Sequence, residues 1–517
     1  MNVMKIESSN NKRIAKNTAF LYLRMIVVMV VGLFTSRITL SVLGISDYGI
    51  YNVVGGTVTM LTVLTGAISV ATSRYLTYSL GVGDKNALQK TFSTALNIHI
   101  ILGVVIFIIA EVLGIWFLNN KLNIPPDRMY AANWILLFSI FTFVIGIIAI
   151  PYTSSIISHE KMNLYAYLSL YDVFVKLGIV YILYISPIDK LIAYGILLML
   201  ASLSTQIIYY IYCREKFEEC RFRCILDKGL VIEMASFIGW AFWGNAAVMA
   251  KNQCLSILLN IFFGTVVNAA QGIAMQVNHA VTGFIRNFMT AVNPQITKSY
   301  AQNNNEYLFL LIIRSAKFSL FLALLMIVPI IMHIDTILGV WLVEVPKHAN
   351  NFVNMILIYT AVECFISPIL VALLATGKIK NYEIGITIIY VINILSVYLF
   401  FKWGAVPEMA FILNIVFKVL VLLLLFYQGK RQFQFPVGKF IKEAMLSPIV
   451  IAFGGLAMIL LYMRLIEQTS LASFIISCVI TETGLIAAIW YYGMNVAERD
   501  FIKETVIKNI IKKKTVK

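Results

Sequence analysis

Four basic residues, Arg24, Arg37, Lys251 and Arg286, stand inside long apolar runs of this sequence, where a full charge is costly unless it meets water or a counter-charge. The segment from Asn268 to Ser299 shows the pattern best: at helical steps of three and four, Met275, His279, Thr282, Arg286 and Asn293 share one face, with Asn268 above them. An earlier segment carries small and hydroxylated residues at the same spacing, Gly55, Thr59, Thr62, Gly66, Ser69 and Ser73. Guanidinium groups bind phosphate and carboxylate bidentately, so the chemistry expected here is recognition of an oxyanion. The helices that hold these four cations contain no acidic residue except Asp47, in an outer turn, so an anionic substrate is expected to bring the counter-charge.

Asp172, Glu363 and Glu482 are the membrane carboxylates that position alone offers for coupling transport to an ion, Asp172 and Glu363 before Glu482, and Lys176, four residues after Asp172, is a ready helical partner for it. An imidazole is the side chain type suited to such a role near neutral pH, which makes His279 a candidate, and a hydrogen-bonded place in the polar face suits it equally. No catalytic residue, metal site or cofactor is expected. The spacing of Cys213, Cys220 and Cys224 matches no familiar metal motif.

The elements that must position these groups are membrane helices. The chain has 517 residues, 60% of them apolar, and a mean hydropathy of +0.85. About fourteen runs are long enough to cross a hydrocarbon core, each needing about 20 residues. Lys and Arg crowd the loops that share a side with both termini, which places the termini in the cytoplasm. The net charge of +16 therefore points to anionic inner-leaflet lipid and not to nucleic acid. The first helix has no small-residue cleavage site after it and reads as an uncleaved anchor.

The two polar stripes superimpose at one fixed offset, which puts Thr59 on His279, Thr62 on Thr282, Gly66 on Arg286 and Ser73 on Asn293, and also Gly44 on Gly264 and Thr77 on Thr297. Farther on, Pro151 falls on Pro368 and Lys161 on Lys378. An internal repeat of six helices follows, with an axis along the membrane normal and the substrate path expected between the halves. The expected organisation is an N-lobe over 1–213, a charged cytoplasmic linker over 214–233, a C-lobe over 234–430, two further helices over 431–495, and a basic amphipathic tail over 496–517 on the inner leaflet.

NKRIAKNTAFLYLRM before the first helix, Ser73-Arg74-Tyr75 followed by GVGD at the end of the second, and NPQITKSYAQ closing the eighth resemble the polysaccharide transporter branch of the multidrug/oligosaccharidyl-lipid/polysaccharide (MOP) exporter superfamily. The resemblance implies an all-α fold of fourteen transmembrane helices and a flippase of the bacterial inner membrane. Its cargo would be an undecaprenyl-pyrophosphate-linked oligosaccharide, such as an O-antigen or capsule unit, with polysaccharide polymerase machinery as a partner. Alternating access of the lobes would carry it, with Arg24 and Arg286, and then Lys251 and Arg37, as the cationic groups. Thr59, Thr62, Ser69, Ser73, Asn268, His279, Thr282 and Asn293 would line the path.

A lipid II flippase and a MATE-like small-molecule antiporter share that plan, but an antiporter for cations calls for a cavity carboxylate. A membrane glycosyltransferase or polymerase calls for a long catalytic loop, and the longest outer loop, near Met332 to Asn351, offers only Asp335, Glu344 and His348. No G-x-x-x-x-G-K-[ST] run exists to bind ATP.

Overall fold

The computed structural model describes residues 2–446 apart from 60, 123, 222, 224–226 and 343, and beyond them 448, 450–451, 454, 471–496, 498–500 and 503. Cys224 and most of the tail expected over 496–517 thus lie outside the described residues. The described chain is helical, in the order α1 (Asn2–Thr59), α2 (Thr62–Val82), α3 (Lys85–Lys121), α4 (Met129–Ser158), α5 (Met162–Tyr184), α6 (Lys190–Lys216) and α7 (Lys228–Phe263). It continues through α8 (Thr265–Ala301), α9 (Asn305–Met332), the short α10 (Ile334–Trp341), α11 (Ala349–Thr376), α12 (Lys380–Lys402), α13 (Met409–Phe433), the single turn α14 (Val437–Phe440) and α15 (Leu471–Ala488).

Eleven described helices are long and apolar enough to cross a membrane. Among the long helices, α2 and α8 fall short of that mark; α8 carries one polar stripe, and α2 carries Thr62, Gly66, Ser69 and Ser73 of the other, whose Gly55 and Thr59 end α1. Their polarity is what a hydropathy average sees as weakness and what a water-lined path needs. With α2, α8 and the apolar stretch near Leu456, which lies outside the described residues, the number expected from the sequence is reached.

The chain forms two compact units, one of Asn17–Ala246 and one of Met1–Lys16 with Ala247–Lys517. Among the described residues of the first, buried side chains gather in clusters centred on Ile135 and Ile140 between α3, α4 and α6, on Phe92 and Ile156, and on Val180 and Leu183. In the second, one continuous core runs from Leu255 through α8, α9 and α11 to α13. Outward faces stay apolar, as Ile101, Val104, Ile108 and Val112 of α3 show, because the surrounding solvent is hydrocarbon.

The repeat read from the sequence is written into the backbone. Gly44 breaks α1 at φ 78°, and Gly264 before α8 has φ 82°. Gly83 ends α2 in the left-handed region and Asn303 takes the same sign of φ after α8, each followed by an Asx cap. Asp84 accepts from the amides of Asn86 and Ala87, and Asn304 accepts from that of Tyr307. Glu160 and Gly377 form a third such pair after α4 and α11, the helices that contain Pro151 and Pro368. Left-handed backbone is disfavoured for most residues, so its recurrence at matching helix ends reflects common construction.

Helix heads on the side expected to face outward are tied by ion pairs in corresponding places. Arg128, which caps α4, bonds Asp47 on α1 through both Nε and Nη2, and its Nη1 lies 2.6 Å from Asp189 Oδ2. Asp189 also caps α6 by accepting from the amides of Leu191 and Ile192. Partial burial pushes the Asp189 carboxyl up, but the bonds from Arg128, Ile192 and Leu191 outweigh it and hold it below the usual carboxylate range. A depressed carboxyl stabilises the fold above its unfolded pKa, near 4, and the benefit is lost only as pH falls through the lower folded value. The N-lobe tie is therefore constant between pH 5 and 8.

Close helix packing is tightest at Gly195 of α6, where a methyl group would come within 2.7 Å of Ile135 Cδ1 and 3.0 Å of the Phe138 ring. Ile135 is fully buried and has no room to move. Gly195→Ala should lower stability by about 1–2 kcal/mol, overpacking outweighing the roughly 1 kcal/mol that alanine gains over glycine in a helix. Thermal unfolding of the purified protein in detergent checks this; an unchanged midpoint would mean that α4 and α6 can separate freely.

Candidate functional site

Arg24 lies on α1 about two turns beyond Asn17, whose Nδ2 donates to the carbonyl of Glu160 at 3.1 Å and ties this end of α1 to the α4–α5 turn. Its guanidinium carbon sits 4.7 Å from the centre of the Tyr165 ring on α5, and its Nε is buried with no hydrogen-bond partner. Arg24 forms no ion pair among the described residues. Asp172, farther along α5, is taken by Lys176, with Nζ to Oδ2 at 2.7 Å. A guanidinium whose face is stacked and whose N–H groups are unused is pre-set for an oxyanion, since stacking fixes the plane without consuming donors.

Arg37 is exposed on the same helix between the exposed Phe34 and Leu40 and has no ion pair among the described residues. That setting suits a long basic side chain reaching from lipid toward the interface. On α2, Thr62 is exposed and Ser69 and Ser73 are half-buried, while the side chain of Thr59 lies outside the described ones.

The second unit holds the longer stripe. Val267, Ala270, Ala274, Val281, Ile285 and Met289 turn one face of α8 into the core. His279 and Arg286 are exposed on another face, and Arg286 has no ion pair among the described residues. The rest of the stripe is used in packing. Met275 lies half-buried against the core, Thr282 Oγ1 donates to the carbonyl of Asn278, and Asn268 Oδ1 accepts from Ser256 on α7 at 3.2 Å. Asn293 keeps a buried Oδ1 with no partner.

Lys251 is not on an exposed face. It is only 6% exposed, inside the second unit, with Nζ 5.1 Å from the ring centre of Tyr359 on α11 and 5.4 Å from that of Tyr390 on α12. Lys418 of α13 lies 4.8 Å over the same Tyr359 ring and forms an ion pair with Glu363. The expected coupling carboxylate thus already carries a lysine. Sequence spacing could not foresee this cluster, because its members come from four helices; the one available signal was a lone Lys in each of two apolar runs. Of the charged residues expected near α10, Asp335 is engaged by Asn350 and His348 by Glu408, whereas Glu344 is exposed. Among the described residues, no group of three or more His, Cys, Asp or Glu is arranged to hold a metal.

Residues 14–300, the larger part of the chain, match the family described as polysaccharide biosynthesis protein. The chain belongs to that family. Among solved structures it is similar to a MATE transporter in the bent conformation, with 12% identity, 82% of this chain and 98% of that one covered, and a TM-score of 0.70. A MOP superfamily transporter from Pyrococcus furiosus, whose binding pocket is described as reversed in polarity, matches at 13% identity over 80% of this chain and 95% of its own, with a TM-score of 0.66. An outward-facing MATE family transporter of the MOP superfamily gives 13% identity, 82% and 98% coverage and a TM-score of 0.66. No curated protein matches. At such identities the likeness is one of fold: the family member described here is a multi-pass, all-α membrane protein with the MATE-like fold of the MOP superfamily.

Proposed function

We propose that this protein is a flippase that carries an undecaprenyl-pyrophosphate-linked oligosaccharide from the cytoplasmic to the outer leaflet of a bacterial inner membrane by alternating access of its two lobes. The observation that carries the reading is a pair of uncompensated arginines. Arg24 has a buried Nε without a partner, and Arg286 is exposed on a polar helix; neither forms an ion pair among the described residues. An anionic cargo supplies the missing charge, and the family's tie to polysaccharide biosynthesis favours a lipid-linked saccharide. Arg24, nearer the cytoplasmic end, would receive the pyrophosphate first, and Arg286 would hold it or an acidic sugar midway. The termini would be cytoplasmic, the basic tail would rest on anionic lipid, and the polymerase that consumes the cargo would act on the far side.

The test replaces Arg24 and Arg286 singly by Ala and measures lipid-linked oligosaccharide remaining on the cytoplasmic leaflet, with protein abundance checked. Each loss should slow export about 10- to 100-fold, the worth of one or two charge-assisted hydrogen bonds to phosphate. Normal export by both variants at normal abundance would sink the reading.

A further inference from the structure

The repeat places a histidine where the first unit has an arginine. Arg128 caps α4 and pairs with Asp189 at the head of α6; His348 caps α11 and pairs with Glu408 at the head of α13. The two ties join corresponding helix heads, and the intervals along the chain agree, 61 residues in one and 60 in the other. In the second, Nδ1 of His348 lies 2.6 Å from Glu408 Oε1, and Asn351 Nδ2 donates to the same oxygen at 3.0 Å. The imidazole stacks on Phe352, with ring centres 5.9 Å apart. Its backbone is left-handed, φ 72°, so its position is fixed by the turn.

We propose that His348 and Glu408 form a proton-binding site through which pH on the outer side sets how firmly the heads of α11 and α13 are joined. Arginine keeps its charge at every physiological pH, whereas imidazole is the side chain that ordinarily gains or loses its charge between pH 5 and 8. Glu408 stays ionised through that range: burial pushes its carboxyl up, but the bonds from Asn351 and His348 outweigh this and hold it below the usual carboxylate range.

The other charges nearby do not compete. Asp335 on α10 is engaged by Asn350, and neither Lys347 nor the exposed Glu344 of the same loop forms an ion pair among the described residues. A protonated imidazole gives Glu408 a charge-assisted bond, about twice as strong as its neutral counterpart. Loss of that proton removes the charge assistance and weakens the tie. The Arg128 tie of the first unit has no such dependence, and it is further braced by Asp47, a second carboxylate whose place in the second unit falls on the apolar Val267.

That this face is outward rests on the topology in the proposed function, so the test has two arms. In the first, hydrogen exchange of the full purified chain is followed in detergent at pH 5.5 and 8, corrected for intrinsic rates, at the amides of residues 349–352 and 409–412. Protection in the wild type should fall about tenfold at the higher pH. His348→Arg should hold it at both, and His348→Asn, which tolerates the left-handed turn, should lack it at both. Equal wild-type protection at the two values, or a pH response that survives in His348→Asn, would overturn the proposal.

The second arm repeats the exchange in sealed vesicles of one known orientation with pH changed on one side only. A response to the inner side alone would reject the outward placement while leaving the proton site intact, and transport of the proposed cargo is needed in neither arm.

Discussion

Replacing Glu363 by Ala should cost the protein about 3 kcal/mol of stability, seen as an early unfolding transition in detergent. Glu363 is the acidic partner of Lys418, whose side chain is 8% exposed, and both lie beside the buried Lys251. Taking it away leaves two ammonium groups around one tyrosine ring with no carboxylate beside Lys418, and cation–π contacts are worth only about 0.5–2 kcal/mol. Breaking a buried pair typically costs 3–5 kcal/mol. The lower figure applies because Glu363 is itself about one-third exposed and water reaches it.

The double change Glu363→Leu with Lys418→Met should recover much of the loss, because two apolar side chains of similar volume need no counter-charge. A coupling energy of about 2 kcal/mol between the two sites is expected from the cycle. If the single variant unfolds within 0.5 kcal/mol of the parent, a common range for neutral changes, the pair is not what neutralises this core. Lys251→Met should then be tried as the cheaper deletion, since it removes a cation that forms no ion pair among the described residues.

Glu498→Ala should be at least as damaging. Its carboxylate lies 2.6 Å from Lys317 Nζ on α9, with side chains 5% and 8% exposed, and 3.9 Å from Arg314 Nε. The same residue completes a capping box: the amide of Asn495 donates to Glu498 Oε2, and the amide of Glu498 donates to Asn495 Oδ1. One side chain therefore starts the helix after Asn495 and anchors it to α9. Its removal should cost about 3–5 kcal/mol for the orphaned lysine, with about 1 kcal/mol more for the cap.

Glu498→Gln separates the two parts, since an amide oxygen still accepts from the Asn495 amide but offers Lys317 no charge. It should lose most of the ionic share and keep the cap. Proteolysis at the C-terminal segment should follow the same order, Ala fastest, Gln intermediate and wild type slowest. A parental rate for the Ala variant would mean that the segment is held by something other than this carboxylate.

Much of the molecule was legible in the linear chain because membrane helices obey two local rules. Apolar length marks a span, and a period of 3.6 marks a face, so the stripes on α2 and α8, the turn at Gly44 and Gly264, and the prolines of α4 and α11 were visible without coordinates. The repeat followed from the same signals, since matching faces and matching helix ends came in one register. The backbone then added Gly83 with Asn303 and the caps at Asp84 and Asn304, which have different side chains for the same geometry.

The partners were not legible. Arg24 finds Tyr165, Lys251 finds Tyr359 and Tyr390, Lys317 finds Glu498, and Arg128 finds both Asp47 and Asp189. Each of those contacts joins residues tens to hundreds of positions apart, and a helical period states only which way a side chain points, not what stands opposite. Thus the four membrane cations, for which the sequence offered an order of preference but no surroundings, are of three kinds: Arg24 stacked, Arg37 and Arg286 exposed, Lys251 buried among aromatic rings. The sequence by itself determined the spans, the faces and the duplication, because these depend on hydrophobicity and local geometry. Which charges are neutralised and which stay unengaged was decided by tertiary structure alone, because electrostatic cost depends on the groups and the dielectric within a few ångströms in space.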